Sequence, residues 1–250
     1  MIARIRPVVG VLVALLCWEA LSRSGLPVAR TLPPPSVVLV ALVHLLGERA
    51  FLAGTASTAL CWLIAVVLAG VLGGLLGLAL GSTPRLRAAS TFVVEFVRPL
   101  PAVALIPLMI SVLSADARAA IALATFAAIW PVLFATLHAL GEVDPSLLVT
   151  ARTFRVPRWR TIGWVIVPAT LPTVLSGIRL AATIALISLL STEFLTGGPN
   201  GLGQFIDQSH RSDLVLAGVV VAGLLGLLAD TLIIVVQRRC LPWAAREAGA

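Results

Sequence analysis

Lysine is absent from this 250-residue chain, and all 18 of its basic residues are arginine. A Walker-type phosphate-binding loop needs a lysine to reach the phosphates, so the chain is no conventional P-loop ATPase. Schiff-base chemistry on lysine is excluded with it. Charge of either sign is also scarce, at 12% of residues, well below soluble usage. The three cysteines, Cys17, Cys61 and Cys240, are odd in number, far apart and without C-x-x-C spacing. Neither a disulfide framework nor a zinc site is supported. His44, His138 and His210 have no metal-ligand spacing, and no G-x-S-x-G element marks a nucleophile.

What is present is apolar: 59% of residues are hydrophobic and the mean hydropathy is +1.06. A spanning helix takes about 20 mostly apolar residues. Six stretches qualify, at 5–22, 56–80, 89–113, 119–140, 173–196 and 213–236. The expected fold is all-α, a polytopic membrane helix bundle of about six transmembrane helices forming a single domain over 1–250. Arg4 and Arg6 before an apolar run resemble a signal peptide, but Glu19 and Arg23 stand where small cleavage-site residues belong. With both termini inside, eleven arginines fall in inner segments and five in outer ones. That bias obeys the positive-inside rule. The net charge of +7 therefore reports topology, and no nucleic acid partner is expected.

Between the first two spans, Ser36 is placed to cap a short outer helix with Val37, Val40, Ala41 and Leu45 on one face. In the second span Ala65, Ala69, Gly73, Gly77 and Gly81 recur every four residues. Such a ladder lets another backbone approach closely, so helix packing is the expected role of Gly73, Gly77 and Gly81. The third span holds Arg98, Pro99, Pro101 and Pro107. Prolines free carbonyls, which membranes tolerate where they face protein or a wet cavity. Arg98, Pro99 and Pro101 are thus candidates for lining a translocation path, with Ser188, Ser191 and Glu193 of the fifth span. Arg98 fits equally a structural pair with Glu95 or Glu193.

The most informative segment is the cytoplasmic loop at 142–172, where Arg152, Arg155, Arg158 and Arg160 interrupt the apolar chain. Asp144 before Pro145 is a strong helix start. Leu147, Ala151 and Phe154 then share one face, with Arg152 on another. Such a helix suits the groove of a partner. Val156–Pro157 breaks it, and a second short helix is expected from Pro157 through Trp159 to about Val167. Pro168 and Pro172 would lead back into the membrane.

In these segments the chain resembles the permeases of binding-protein-dependent ABC importers, most of all their nitrate/sulfonate/taurine branch. The resemblance rests, in chain order, on LPPPSVVLVAL (32–42), RPLPAVALIPL (98–108), Ala151-Arg152, the Thr-Phe that follows, Arg158-Trp159, VIVPATLPTVLSGIRLA (165–181), Glu193 and GLG (201–203). It implies the type I ABC importer permease fold, the MetI-like fold. It implies ABC ATPase subunits docked on Asp144, Pro145, Leu147, Ala151, Arg152, Phe154, Arg155, Pro157, Arg158 and Trp159. Leu147, Ala151 and Phe154 would enter the ATPase groove, and Arg152 and Arg158 would pair with its acidic rim. Pro168, Pro172 and Gly177 belong to the same coupling motif. It further implies an extracytoplasmic substrate-binding protein, a second permease copy or paralogue, and a bacterial plasma (inner) membrane setting. ATP and magnesium would be used by the partner, leaving this chain without cofactor or catalysis. The expected cargo is a small oxyanion or organosulfonate such as nitrate, taurine or an alkanesulfonate.

Three positions depart from the family pattern. Arg155 stands where members carry glycine at the bend between the loop helices. Ser114-Ala115-Asp116 replaces a Gly-x-Gly, and Cys61 replaces an arginine. The alternative function is an ion-coupled secondary transporter, for which Glu193 would be the intramembrane acid.

Overall fold

The computed structural model describes residues 2–24, 32–81, 83, 85–86, 95–97, 101–196 and 201–241. Its helices are α1 (Ile2–Arg23), α2 (Pro35–Gly47), α3 (Arg49–Gly81), α4 (Ile106–Leu113), α5 (Ala117–Glu142), α6 (Pro145–Thr153), α7 (Arg158–Thr196), α8 (Leu202–Gln208) and α9 (Ser212–Cys240). A 3-10 turn, Ala102–Leu105, leads into α4. Among the described residues four helices are long and apolar enough to cross a membrane: α3, α5, α7 and most of α9. The first expected span is helix α1. The third is described at 95–97 and from Pro101 onward, so Arg98 and Pro99 lie outside the described residues.

The bundle is organised around small residues. Its core joins α3, α5 and α7 through Ala65, Ala69, Ala120, Ala124, Ala128, Ala181, Ala182 and Ala185, with Val132 and Leu189 between them. The large side chains point the other way: Leu60, Leu63, Val67, Val71, Leu72 and Leu75 of α3 are all exposed. In lipid nothing is gained by hiding leucine, so helices associate through close van der Waals approach. The glycine ladder provides that approach. A Cβ on Gly73 would lie 2.8 Å from the Ile129 carbonyl oxygen, and one on Gly77 would lie 2.5 Å from Thr136 Cβ. At Gly81 the obstacle is the flexible end of Leu140. One cross-helix hydrogen bond reinforces the core, Trp62 Nε1 donating to the Ala182 carbonyl at 2.8 Å.

A second cluster lies at the end of the bundle away from the 142–157 loop. There Val38, Ala41, Leu45, Phe51, Leu202, Ala217 and Val221 bring α2, α3, α8 and α9 together. Phe51 meets Phe205 edge to face at 4.9 Å. Helix α2 begins one residue before the expected cap, with Pro34 at its N-cap and Pro35 in its first turn. Ser36 does not cap it; its hydroxyl and amide both donate to Glu19 of α1, at 2.9 and 3.2 Å. Its inward face is Val38, Ala41 and Leu45, while Val37 and Val40 are exposed.

The fifth span also differs from expectation. Helix α7 runs unbroken from Arg158 to Thr196, so the second loop helix is its first turns rather than a separate element. Pro168 has no N–H for the Trp164 carbonyl and would clash with it in a regular α-helix. A π-turn over Ile162–Ile166 changes the local register and accommodates the ring. Pro172 sits inside the helix that follows.

Candidate functional site

At the loop end, Asp144 caps α6 by accepting from the Ser146 N–H at 2.8 Å. That hydrogen bond holds the Asp144 carboxyl below the ordinary aspartate range. Pro145 occupies the first turn, where its missing donor costs nothing. The helix ends in a Schellman motif: the Val156 N–H donates to the Ala151 carbonyl, and the Arg155 N–H to that of Arg152, each at 2.9 Å. The residue between them must be left-handed, and Arg155 has φ 52°. The arginine at this bend therefore keeps the geometry that glycine normally supplies.

The loop's exposed face differs from the helix face expected from spacing. Ala151 is only 6% exposed and is turned into the chain's own fold. Leu147 is half-exposed, while Phe154 (76%) and Trp159 (67%) stand fully out. Trp164, on the π-turn, is 72% exposed. Arg160 lies between the two indoles, 4.8 Å from the Trp159 ring centroid and 5.5 Å from that of Trp164, within cation–π range. Arg152, Pro157 and Arg158 are exposed beside them, and Pro168 is half-buried. Gly177 lies elsewhere: it is buried between spans, where a Cβ would fall 2.4 Å from Ala135 Cβ and 2.9 Å from the Pro131 carbonyl oxygen. Spacing pointed to Leu147, Ala151 and Phe154; the indole of Trp164 and its stacking with Arg160 were missed, though Trp at a span end is an interfacial signal.

At the opposite end Glu193 is 7% exposed and fully engaged. Thr58 Oγ1 donates to its carboxylate at 2.9 Å, and the Gly203 N–H donates at 2.9 Å. Thr58 in turn accepts from the Leu202 N–H at 2.9 Å. The GLG segment is shaped around this carboxylate. A Cβ on Gly201 would lie 2.4 Å from Glu193 Cδ, and one on Gly203 would lie 2.5 Å from the Leu190 carbonyl oxygen. Glu193 thus clamps the turn into α8 onto α3 and α7. Of the other expected path residues, Ser191 back-bonds to the Ile187 carbonyl at 2.8 Å. Pro101 is extended and opens the 3-10 turn. Ser188 is buried beside a cavity between α5 and α7.

One intramembrane pair was not anticipated. Arg179 of α7 holds Asp230 of α9 in a bidentate ion pair, its Nε to Oδ1 and its Nη2 to Oδ2 at 2.8 Å. The two line the end of a groove of about 360 Å³ between these helices, with Thr183, Leu186 and Gly226. A lone acid inside an apolar span is itself a signal that it has a partner. The partner is 51 residues away, beyond any periodicity. No cluster of three or more His, Cys, Asp or Glu side chains able to hold a metal occurs among the described residues.

Comparison with known proteins fits this geometry. Residues 69–242 match the family described as binding-protein-dependent transport system inner membrane component. The chain is 28% identical over 244 residues to the taurine transport system permease protein TauC of Escherichia coli, covering 94% of this chain and 88% of that one. It is 27% identical over 234 residues to the putative aliphatic sulfonates transport permease protein SsuC of Bacillus subtilis, covering 92% and 84%. Among solved structures, an inward-facing MetNI methionine ABC transporter aligns with a TM-score of 0.63 at 22% identity, over 75% of this chain and 94% of that chain. That likeness establishes the MetI-like fold.

Proposed function

The chain belongs to the inner membrane components of binding-protein-dependent transport systems, in their nitrate/sulfonate/taurine branch, and from that membership we propose that it conducts a small organosulfonate or oxyanion through an ATP-driven importer. It is a multi-pass membrane transport subunit rather than a catalytic one. ATPase subunits dock at the 142–157 loop and the first turn of α7, which places the loop and both termini in the cytoplasm. A binding protein delivers the solute at the end where α2 and α8 lie. A second permease, identical or paralogous, completes the pathway. ATP and magnesium are bound by the ATPase partner.

The observation that carries this reading is the uncovered aromatic face of Phe154, Trp159 and Trp164, flanked by Arg152, Arg158 and Arg160. An exposed apolar patch rimmed by charge marks an interaction site. It is presented by two short rigid elements, a capped helix and the first turns of α7, so a push on the loop is transmitted into the span. Ala151 takes part indirectly. It is buried at the Schellman turn that orients Phe154, so a charge introduced there disrupts the loop itself before it meets any partner.

The test is uptake into proteoliposomes holding this chain, its ATPase and its binding protein, offered taurine, alkanesulfonates and nitrate. ATP-dependent uptake that requires the binding protein is expected. Uptake driven by an ion gradient without the ATPase would instead favour a secondary transporter.

A further inference from the structure

An arginine within an apolar span is costly and by default marks a functional position. Arg179 lies in mid-span of α7, and its partner Asp230 lies ten residues before the end of α9, about 15 Å along the helix. Both line the groove of about 360 Å³ between these helices, and their side chains remain 48% and 32% exposed to it. A guanidinium carries five N–H donors. The bidentate contact with Asp230 engages one on Nε and one on Nη2 and leaves three for another acceptor. Thr183 stands one turn further along the same face of α7 and lines the same groove. Its hydroxyl reaches the Arg179 carbonyl only at 3.5 Å, beyond the usual range for a hydroxyl donor. Ser191, Thr192 and Thr196 make the equivalent bond at 2.8 Å. Thr183 is exposed, so its O–H is open to a ligand in the groove.

The rest of the groove is apolar, with Leu186, Leu190, Val219 and Ala222 in its walls. Ile187 lines both this groove and the cavity between α5, α7 and the 3-10 turn, so the groove adjoins the face of α7 turned toward the third span. Accessible charged and hydroxyl donors beside an apolar wall suit an oxyanion on a short carbon chain. We infer that Arg179 and Thr183 form a transient cargo site, in which an organosulfonate or similar oxyanion accepts from the unused guanidinium N–H groups and from Thr183 Oγ–H, with its alkyl part against Leu186 and Ala222. Asp230 is a positioning residue. It holds the guanidinium at the groove and cancels most of its charge. An unpaired arginine in a low-dielectric span would grip an anion, whereas a conducting pathway must release it. The inference rests on the permease reading and deepens it. It gives this chain, and not only the binding protein, a donor set for the cargo.

The test separates an anion site from a purely structural ion pair. Gly226 also lines the groove, one turn from Asp230, and a Cβ there meets only Leu186 Cδ2, at 3.4 Å. Gly226→Cys therefore introduces a reporter without crowding. In the assembled complex without ATP, its alkylation by a small maleimide is followed by peptide mass. Butane-1-sulfonate is expected to slow that reaction several-fold, and butyltrimethylammonium is not. Arg179→Gln should raise the half-protecting concentration of butane-1-sulfonate about tenfold, and Asp230→Asn should lower it. A structural pair does not move the two in opposite directions, because losing either partner loosens α9 in the same way. Unchanged protection, protection weakened by both substitutions, or equal protection by the cation would overturn the site. A cysteine that never reacts would overturn it too, because the second permease would then fill the groove. Should Arg179→Gln fail to assemble, the direction of the Asp230→Asn shift decides alone. The assay needs neither ATP nor the binding protein, so its failure beside ATP-dependent uptake by the unmutated chain leaves the permease reading standing. Absence of that uptake would defeat the permease reading independently.

Discussion

The two ends of α7 treat polarity in opposite ways. Around Glu193 the Thr58 hydroxyl and the amides of Leu202 and Gly203 are all spent within the chain, and two glycines make room for the carboxylate. Around Arg158 the side chains are left open: Phe154, Trp159 and Trp164 face outward. The first arrangement locks a turn in place, and the second waits for a partner. The difference separates residues that hold the protein together from residues that act on another, although both lie in sequence motifs of the same family. It predicts that substitutions at the closed end damage stability first, and that substitutions at the open end damage transport while sparing stability.

The largest effect belongs to the closed end. Glu193→Leu strands the Thr58 hydroxyl and the Gly203 N–H in a buried site. At about 1–3 kcal/mol for each orphaned group, the loss is roughly 2–6 kcal/mol. Thermal unfolding in detergent would register it. A variant as stable as the parent would mean that Glu193 is free for work in the pathway after all.

The two non-glycine residues with positive φ among the described residues come next, one at each end. Ser114 has φ 68° and ψ 167°, a region that costs about 1–3 kcal/mol for a residue other than glycine. Arg155, at φ 52°, is in the milder left-handed well, worth about 1 kcal/mol or slightly more. Ser114→Gly should therefore stabilise more than Arg155→Gly, as compared by denaturation midpoints. The Ser114 strain is accompanied by a gain: Asp116, in the same replaced Gly-x-Gly, caps α5 through the Arg118 N–H at 2.8 Å.

Smaller still in stability is Trp159→Ala. The exposed ring packs against the Arg160 guanidinium, so its loss costs folding no more than about 0.5–1 kcal/mol. ATP-driven uptake should nevertheless fall more than tenfold, while the purified chain melts as before. If uptake persists, the aromatic face does not receive the ATPase and the open end is not a docking surface.

The legibility of these features in the sequence follows their range. Asp144–Pro145 was readable because a cap and a first-turn proline are adjacent. The glycine ladder was readable because it has helical period, and the bend at Arg155 because a breaker follows it. The inward turn of Ala151 was not readable. Ala151 is buried and Phe154 exposed because of what the rest of the fold places against each, whereas spacing alone assigns both to the same face. Pro168 and Pro172 suggested an interruption because a proline's local cost is visible in sequence, whereas the π-turn that absorbs it is not. Arg179 and Asp230 are joined only by the fold.

Asp144 gives the smallest effect and tests whether the open end is preorganised. Its carboxylate accepts from the Ser146 amide, and that bond lowers its pKa below the ordinary value. A group whose folded pKa is depressed contributes fully above its unfolded pKa and loses that contribution as pH falls through the folded value. The cap is therefore at full strength at neutral pH and weakens only in acid below the ordinary aspartate range. An NMR titration of the chain in nanodiscs should place the Asp144 midpoint below that of a peptide covering 142–158, with the Ser146 amide shift following the same curve. Asp144→Asn keeps an oxygen to accept from Ser146 but cannot titrate, so it should abolish that amide step while leaving α6 capped. Equal midpoints in chain and peptide would mean that α6 is not held before a partner arrives. The open end would then be ordered by docking, and the contrast between the two ends would become one of timing rather than of structure.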